Sequence, residues 1–127
     1  MLKTAKPKTK VAKKVLVVED EGEMRLVFDM ILNDREIDLD YVDNLLTADE
    51  YLLKHKPAVI ILDNKLPDGF GVDFISYIRK KYPHIKIIMT SGFASVRDVA
   101  LQNGAYAFFE KPFALEDFNK TLDKLLK

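Results

Sequence analysis

Four short apolar runs constrain this chain more than any other feature. They are Val15-Leu16-Val17-Val18, Val59-Ile60-Ile61-Leu62, Ile85 with Ile87-Ile88-Met89, and Tyr106-Ala107-Phe108-Phe109. Each is continuous rather than alternating, so each predicts a strand buried on both faces. A weaker segment, Leu39-Asp40-Tyr41-Val42, alternates apolar with polar and predicts a half-exposed edge strand.

Helical patterns fill the gaps. Met24, Val27, Phe28 and Ile31 follow the spacing of one helix face. Thr47 with Glu50 reads as a capping box opening a second helix, which Pro57 stops. A third runs over 72–81, with Phe74, Ile75 and Ile78 inward and Pro83 beyond its end. Ser95 with Asp98 caps a short fourth helix ending at Asn103-Gly104. Leu115, Phe118, Leu122 and Leu125 stripe a fifth. Five strand-then-helix repeats predict an α/β fold: a doubly wound, five-stranded parallel sheet with helices on both faces and right-handed crossovers.

The 127 residues fit one domain, and about half are hydrophobic, enough for a core without staples. The absence of Cys removes disulfides, thiolate metal sites and Cys nucleophiles. No apolar run approaches the ~20 residues that span a bilayer, and the basic N-terminus lacks the apolar stretch of a secretory signal. A soluble cytoplasmic protein is expected. Lys3, Lys6, Lys8, Lys10, Lys13 and Lys14 crowd the first fourteen residues, leaving 14 basic and 20 acidic side chains, a net of −6, in the remainder. Residues 1–13 therefore read as a solvated, disordered basic tail, and 14–127 as the domain. An electrostatic arm for an acidic partner is the sharper reading of the tail. No aromatic residue interleaves the lysines, so nucleic-acid binding gains no support. His55 and His84 read as surface residues.

In open α/β sheets, ligands bind beyond the carboxyl ends of the strands, where strand order reverses. Glu19, Asp20 and Glu21 follow the first strand, Asp63 the third, Thr90, Ser91 and Gly92 the fourth, and Glu110, Lys111 and Pro112 the fifth. In a flavodoxin-like order the first and third strands are neighbours, and their acids converge. Clustered carboxylates must share a proton or bind a cation, and oxygen-only ligands suit Mg²⁺. Glu19-Asp20 alone has a plainer reading as acids at a helix N-terminus, but Asp63 has no such excuse. Lys111 beside the acids offers a point charge for phosphate oxygens; by itself it is a surface lysine. Thr90 and Ser91 read either as helix-capping hydroxyls or as donors to a phosphoryl oxygen.

These residues carry a family resemblance. Val-Leu-Val-Val-Glu-Asp-Glu at 15–21, Ile-Ile-Leu-Asp-Asn-Lys-Leu-Pro-Asp-Gly at 60–69, Thr-Ser-Gly at 90–92 and Gly-Ala-Tyr-Ala-Phe-Phe-Glu-Lys-Pro-Phe at 104–113 stand in order at strand ends. The chain resembles the receiver domains of bacterial two-component response regulators, in a stand-alone, chemotaxis-regulator-like form. The resemblance implies strand order 2-1-3-4-5 and five helices. It implies Asp63 as phosphoacceptor, and Glu19, Asp20, Asp63 and the backbone carbonyl of Lys65 as ligands of Mg²⁺ or Mn²⁺. It implies Ser91 (or Thr90) as the switch hydroxyl, Lys111 as the phosphate-binding cation, Phe108 as the coupled aromatic and a cis bond before Pro112. The implied donor is a sensor histidine kinase or histidine phosphotransfer protein, and the output face is the fourth helix, fifth strand and fifth helix. Phosphorylation-dependent dimerisation is an open option.

Rival readings are a phosphate-ester hydrolase, a flavodoxin-like cofactor module and a phosphorylation-independent interaction module. The hydrolase wants a second acid two residues after Asp63, where Lys65 stands. The cofactor module wants a phosphate-cradling loop after the first strand, where Glu19-Asp20-Glu21 would repel phosphate. No external turnover is expected. A further alternative makes the chain the receiver piece of a longer transcriptional regulator.

Overall fold

In the computed structural model, residues 12–127 are described, so the expected tail over 1–13 lies outside them but for Ala12 and Lys13. Five parallel strands form one sheet: β1 (Lys13–Val18), β2 (Ile37–Val42), β3 (Val59–Asp63), β6 (Lys86–Ser91) and β7 (Ala107–Glu110). Their spatial order is β2-β1-β3-β6-β7. Numbered within the sheet, that is the predicted 2-1-3-4-5. Five helices alternate with them: α1 (Gly22–Leu32), α2 (Leu45–Lys54), α3 (Gly71–Lys81), α4 (Arg97–Gln102) and α5 (Leu115–Leu125).

Period-two alternation sorts the apolar runs onto two faces. Leu16, Val18, Ile60, Leu62, Ile87, Met89 and Phe108 pack with Ala48, Leu52, Ile75, Ile78 and Ala100, under α2, α3 and α4. Val15, Val17, Val59, Ile61 and Ile88 pack with Phe28, Ile31, Leu32, Phe118 and Leu122, under α1 and α5. Two layers of helix on one sheet explain why the middles of β1, β3 and β6, at 15–18, 59–62 and 87–89, are apolar at successive positions.

The edge strands differ. β2 is half-buried, as its alternation predicted. β7 departs from expectation: only Phe108 is fully buried, Phe109 is half-buried and Glu110 is exposed. Among the described residues it pairs with β6 alone, at the edge that the order 2-1-3-4-5 implies, and its apolar run reflects packing under helices. Leu115, expected on the inner stripe of α5, is 46% exposed at the helix start.

Helix starts also correct the sequence reading. α2 is capped by Asn44, whose side chain accepts from the Thr47 N–H at 2.8 Å, not by Thr47. The carboxylate of Asp68 accepts from Leu45 and Leu46 N–H at 2.8 and 2.9 Å. An Asn cap three residues earlier, helped by a carboxylate from elsewhere in the chain, outweighs the local Thr47–Glu50 pair. That carboxylate sits on a small antiparallel hairpin, β4 (Lys65–Leu66) with β5 (Gly69–Phe70), absent from the sequence reading. α4 is as short as expected, but Ser95 and Asp98 do not cap it. A 3-10 turn over Ala94–Val96 leads in, and Val96 makes no side-chain cap bond.

Gly71 opens α3 one residue earlier than predicted. Its N–H donates to the Asn64 carbonyl at 2.6 Å. A Cβ there would lie 2.2 Å from the carbonyl oxygen of Asp63. Gly→Ala at a helix position ordinarily stabilises; here the clash should dominate. Gly71→Ala is expected to lower stability by about 1–3 kcal/mol, the usual range for overpacking, as read by urea unfolding. An unchanged midpoint would show that β3 and α3 can separate freely.

Candidate functional site

Parallel register assembles the site. Val18 lies beside Leu62, so the residues that follow, Glu19 and Asp63, emerge as neighbours. Asp63 in turn lies beside Thr90, and Ser91 beside Glu110. The Lys111 N–H donates to the Ser91 carbonyl at 2.8 Å, which extends the pairing past β7. The Lys111–Pro112 peptide is cis.

Three carboxylates converge. Oxygens of Glu19, Asp20 and Asp63 lie within 4.8 Å of one another. Glu19 and Asp63 are buried, at 1% and 5% exposure, while Asp20 is exposed at the mouth. Lys111 reaches in from the far side. Its Nζ stands 2.9 Å from Asp63 Oδ1, 3.1 Å from Glu19 Oε1 and 3.6 Å from Glu21 Oε1. A cleft of about 510 Å³ opens over this cluster, lined in part by Asp20, Asp63, Lys65, Ser91, Phe93 and Lys111.

The electrostatics follow from burial. Desolvation pushes the Glu19 carboxyl up to about 7, helped by the charge of Asp63 and opposed by Lys111. Burial also raises Asp63, against the hydrogen bond and charge of Lys111. Burial alone would lower Lys111, but Asp63 and Glu19 hold it above its ordinary value. The lysine cannot balance three acids and Glu21 together. This oxygen-only donor set, short of positive charge, fits a divalent cation such as Mg²⁺.

The two hydroxyls separate. Ser91 lines the cleft, and its Oγ accepts from the Phe93 N–H at 3.0 Å. Thr90 is fully buried, is not among the cleft's lining residues, and its Oγ1 has no hydrogen-bond partner. Phe108 is buried on the face that α2, α3 and α4 cover, near Ala100 and Ala105. Lys65 stands on the cleft wall. His84 is exposed and His55 stacks on Tyr51 at 4.4 Å between ring centres; neither lines the cleft.

Sequence reasoning missed Asn64 and Asp68. Asn64 is buried, and its side-chain oxygen accepts from the Val72 N–H at 3.0 Å, tying the end of β3 to α3. Asp68 tethers the hairpin beside the cleft to α2. The Pro-Asp-Gly turn signalled a bend at Asp68, but its partners lie 22 and 23 residues away, beyond any local pattern.

A doubly wound parallel sheet with acids beyond β1 and β3 and a lysine beyond β7 defines a receiver-type domain. The family model for the response regulator receiver domain matches residues 15–123, and the chain belongs to that family. It is 30% identical over 117 residues to the chemotaxis protein CheY of Listeria monocytogenes, covering 90% of this chain and 98% of that protein. It is 31% identical over 104 residues to the response regulator protein PilR of Pseudomonas aeruginosa, covering 80% of this chain but 23% of that protein. The chain thus spans about a quarter of the length of that regulator. The beryllofluoride-activated NtrC4 receiver domain dimer superposes with TM-score 0.82 at 33% identity, covering 89% of this chain and 95% of that one. Among the described residues no helix is long and apolar enough to cross a membrane.

Glu19 yields a pH signature. Its raised carboxyl contributes stability that is fully present below the ordinary value of 4.5 and lost as pH rises through about 7. In EDTA, wild type should lose thermal stability between pH 5 and 8 relative to Glu19→Gln, and Mg²⁺ should restore it at the upper pH. Parallel melting curves for the two proteins in EDTA would show instead that Glu19 ionises without penalty.

Proposed function

We propose that Asp63 accepts a phosphoryl group from a phosphohistidine and that this chain is a phosphorylation switch in a two-component pathway. One observation carries the reading: the buried Asp63 carboxylate stands between a lysine at 2.9 Å and two further acids, at the floor of an open cleft. A nucleophile, its counter-charge and a set of metal-ligating oxygens are then in one place. Coarser than this, and shared by the family, is the role of a response-regulator receiver domain.

The chemistry follows from the residues. An Asp63 carboxylate oxygen attacks phosphorus, the bond from phosphorus to the imidazole nitrogen of the donor breaks, and the imidazole leaves with that electron pair. Lys111 Nζ, already within hydrogen-bond distance of Asp63, follows the developing charge onto the phosphoryl oxygens. Glu19, Asp20, Asp63 and the Lys65 carbonyl would hold Mg²⁺ or Mn²⁺, which when bound supplies charge neutralisation at the transferring group. Water hydrolyses the acyl phosphate at the same site, so turnover is confined to the protein's own aspartyl phosphate. Ser91 turns its hydroxyl toward the new phosphoryl oxygens, and Phe108 packs into the space behind it. The change repacks the face of α4 for a partner.

The donor is a sensor histidine kinase or a histidine phosphotransfer protein, in the cytoplasm. The output partner meets the face of α4, β7 and α5, where Val99, Tyr106 and Leu115 are 48%, 47% and 46% exposed. A phosphorylation-dependent dimer is supported by the activated dimer described for the similar NtrC4 domain. The 23% coverage of PilR favours a second reading of context, a receiver piece of a longer transcriptional regulator.

Incubation with acetyl phosphate and Mg²⁺, followed by intact-mass spectrometry, should add one phosphoryl group to wild type and none to Asp63→Asn. Addition to the Asn variant would sink the assignment of Asp63. No addition to folded wild type, from either acetyl phosphate or a phosphohistidine donor, would instead favour a phosphorylation-independent interaction module. Lys111→Ala should still bind Mg²⁺ but take up the group roughly a hundredfold more slowly, the usual scale for losing one stabilising donor. A mass time course at saturating Mg²⁺ reads this directly, and an unchanged rate would remove Lys111 from the transfer step.

A further inference from the structure

Two asparagines connect the end of β3 to the end of α4 through one residue of α3. The N–H of Asn64 donates to the Thr90 carbonyl at 3.0 Å, which seats it in the sheet beside the site. Its side-chain oxygen accepts from Val72 N–H at 3.0 Å. Phe70 provides no side-chain cap for α3, so this amide satisfies an orphan donor of the first turn. The carbonyl of the same Val72 accepts from Asn103 Nδ2 at 3.2 Å. Asn103 is the C-cap of α4. At the next residue, Gly104, φ is +113°, and a Cβ would lie 2.7 Å from Arg79 Cγ of α3. Arg79 is itself held, donating to the carbonyls of Pro83 and Ile85 at 2.6 and 3.0 Å. The C-terminal end of α4 is therefore fastened to α3 by the Asn103 bond, with Gly104 leaving no room for a side chain beside Arg79.

The other end of α4 has no such hydrogen bond, and its hold on the core is the half-buried Val96. Val96 supplies no side-chain cap. Phe93, Ala94, Ser95, Arg97, Asp98 and Val99 are all exposed. The side-chain bond on the segment leading into α4 is that from Phe93 N–H to Ser91 Oγ, at 3.0 Å. With six residues, α4 is too short for helix propensity to hold it in place.

We propose that Asn103 is the pivot of the switch, pinning the C-terminal end of α4 to α3 while the segment at 92–97 swings. The inference rests on the reading of Asp63 as phosphoacceptor and Ser91 as the hydroxyl that answers it. As Ser91 turns to the phosphoryl group, Oγ leaves Phe93 N–H and the free end of α4 is released. The fixed end stays with α3, and through Val72 and Asn64 it stays registered to β3. The surface change on signalling is then concentrated at Phe93 and Val99, exposed by 62% and 48%.

Backbone amide NMR of the full chain, with and without Mg²⁺ and beryllofluoride as the phosphoryl mimic, tests this. Wild type should show large shift changes over 92–97 and small ones over 100–104. Asn103→Ala and Asn103→Asp both lose the donor to Val72, and the Asp variant keeps the side chain's shape. In both, the changes over 100–104 should grow toward those over 92–97, because the lost hydrogen bond frees that end, with phosphoryl uptake by mass retained. Equal changes at the two ends of wild-type α4, or variants matching wild type, would overturn the pivot and leave Asp63 phosphorylation standing. Wild type that neither gains the phosphoryl mass nor responds to the mimic would sink the phosphoacceptor reading, and the pivot with it.

Discussion

A carboxylate taken out of water must find a counter-charge or a proton. Glu19 and Asp63 are both out of water, and Lys111 answers both at 3.1 and 2.9 Å. Much of the molecule serves that contact. Parallel pairing of β1 with β3 sets the two acids side by side. Pairing of β6 with β7 brings Lys111 round from the far edge. The imbalance that remains, more acid than base in an oxygen-only donor set, suits a divalent cation.

The two helical layers divide the work. Phe28, Phe118 and Leu122 seal the face under α1 and α5, with Phe109, Phe113 and Phe118 in mutual ring contact. The opposite face is fastened unevenly. α3 is bound to β3 by Asn64 and by the close approach of Gly71. α4 is short and contributes one fully buried side chain, Ala100, to the core cluster that holds Phe108. The two faces of the sheet thus differ: α3 is bonded to β3 near the site, while α4 meets the core mainly through Ala100 and Val96.

Much of the fold was legible because central strands leave a strong signature. Val15–Val18 and Val59–Leu62 have no polar position to spare, and only a sheet covered on both sides demands that. β7 holds the edge place that the order 2-1-3-4-5 gives it, but its continuous apolar run misled on burial, since at an edge Phe109 stays only half-buried. The hairpin at Lys65–Phe70 has two residues per strand, too few for any period to show. The cap of α2 failed for another reason: Asn44 and Thr47 are both acceptable caps, and the choice fell to Asp68, a residue from another part of the chain.

Residue type and order along the chain decided the class of fold, the strand ends that carry acids, and the lysine before Pro112. These are properties of local pattern, and local pattern is what a sequence holds. Tertiary structure alone decided which hydroxyl faces the cleft. Thr90 and Ser91 are chemically alike and adjacent, and only the pleat of β6 sends one inward and the other to the cleft wall. It also decided that Glu19 lies at 1% exposure while Asp20, its neighbour, lies open. Those assignments depend on what the rest of the chain packs around each side chain, and no stretch of sequence contains its own surroundings.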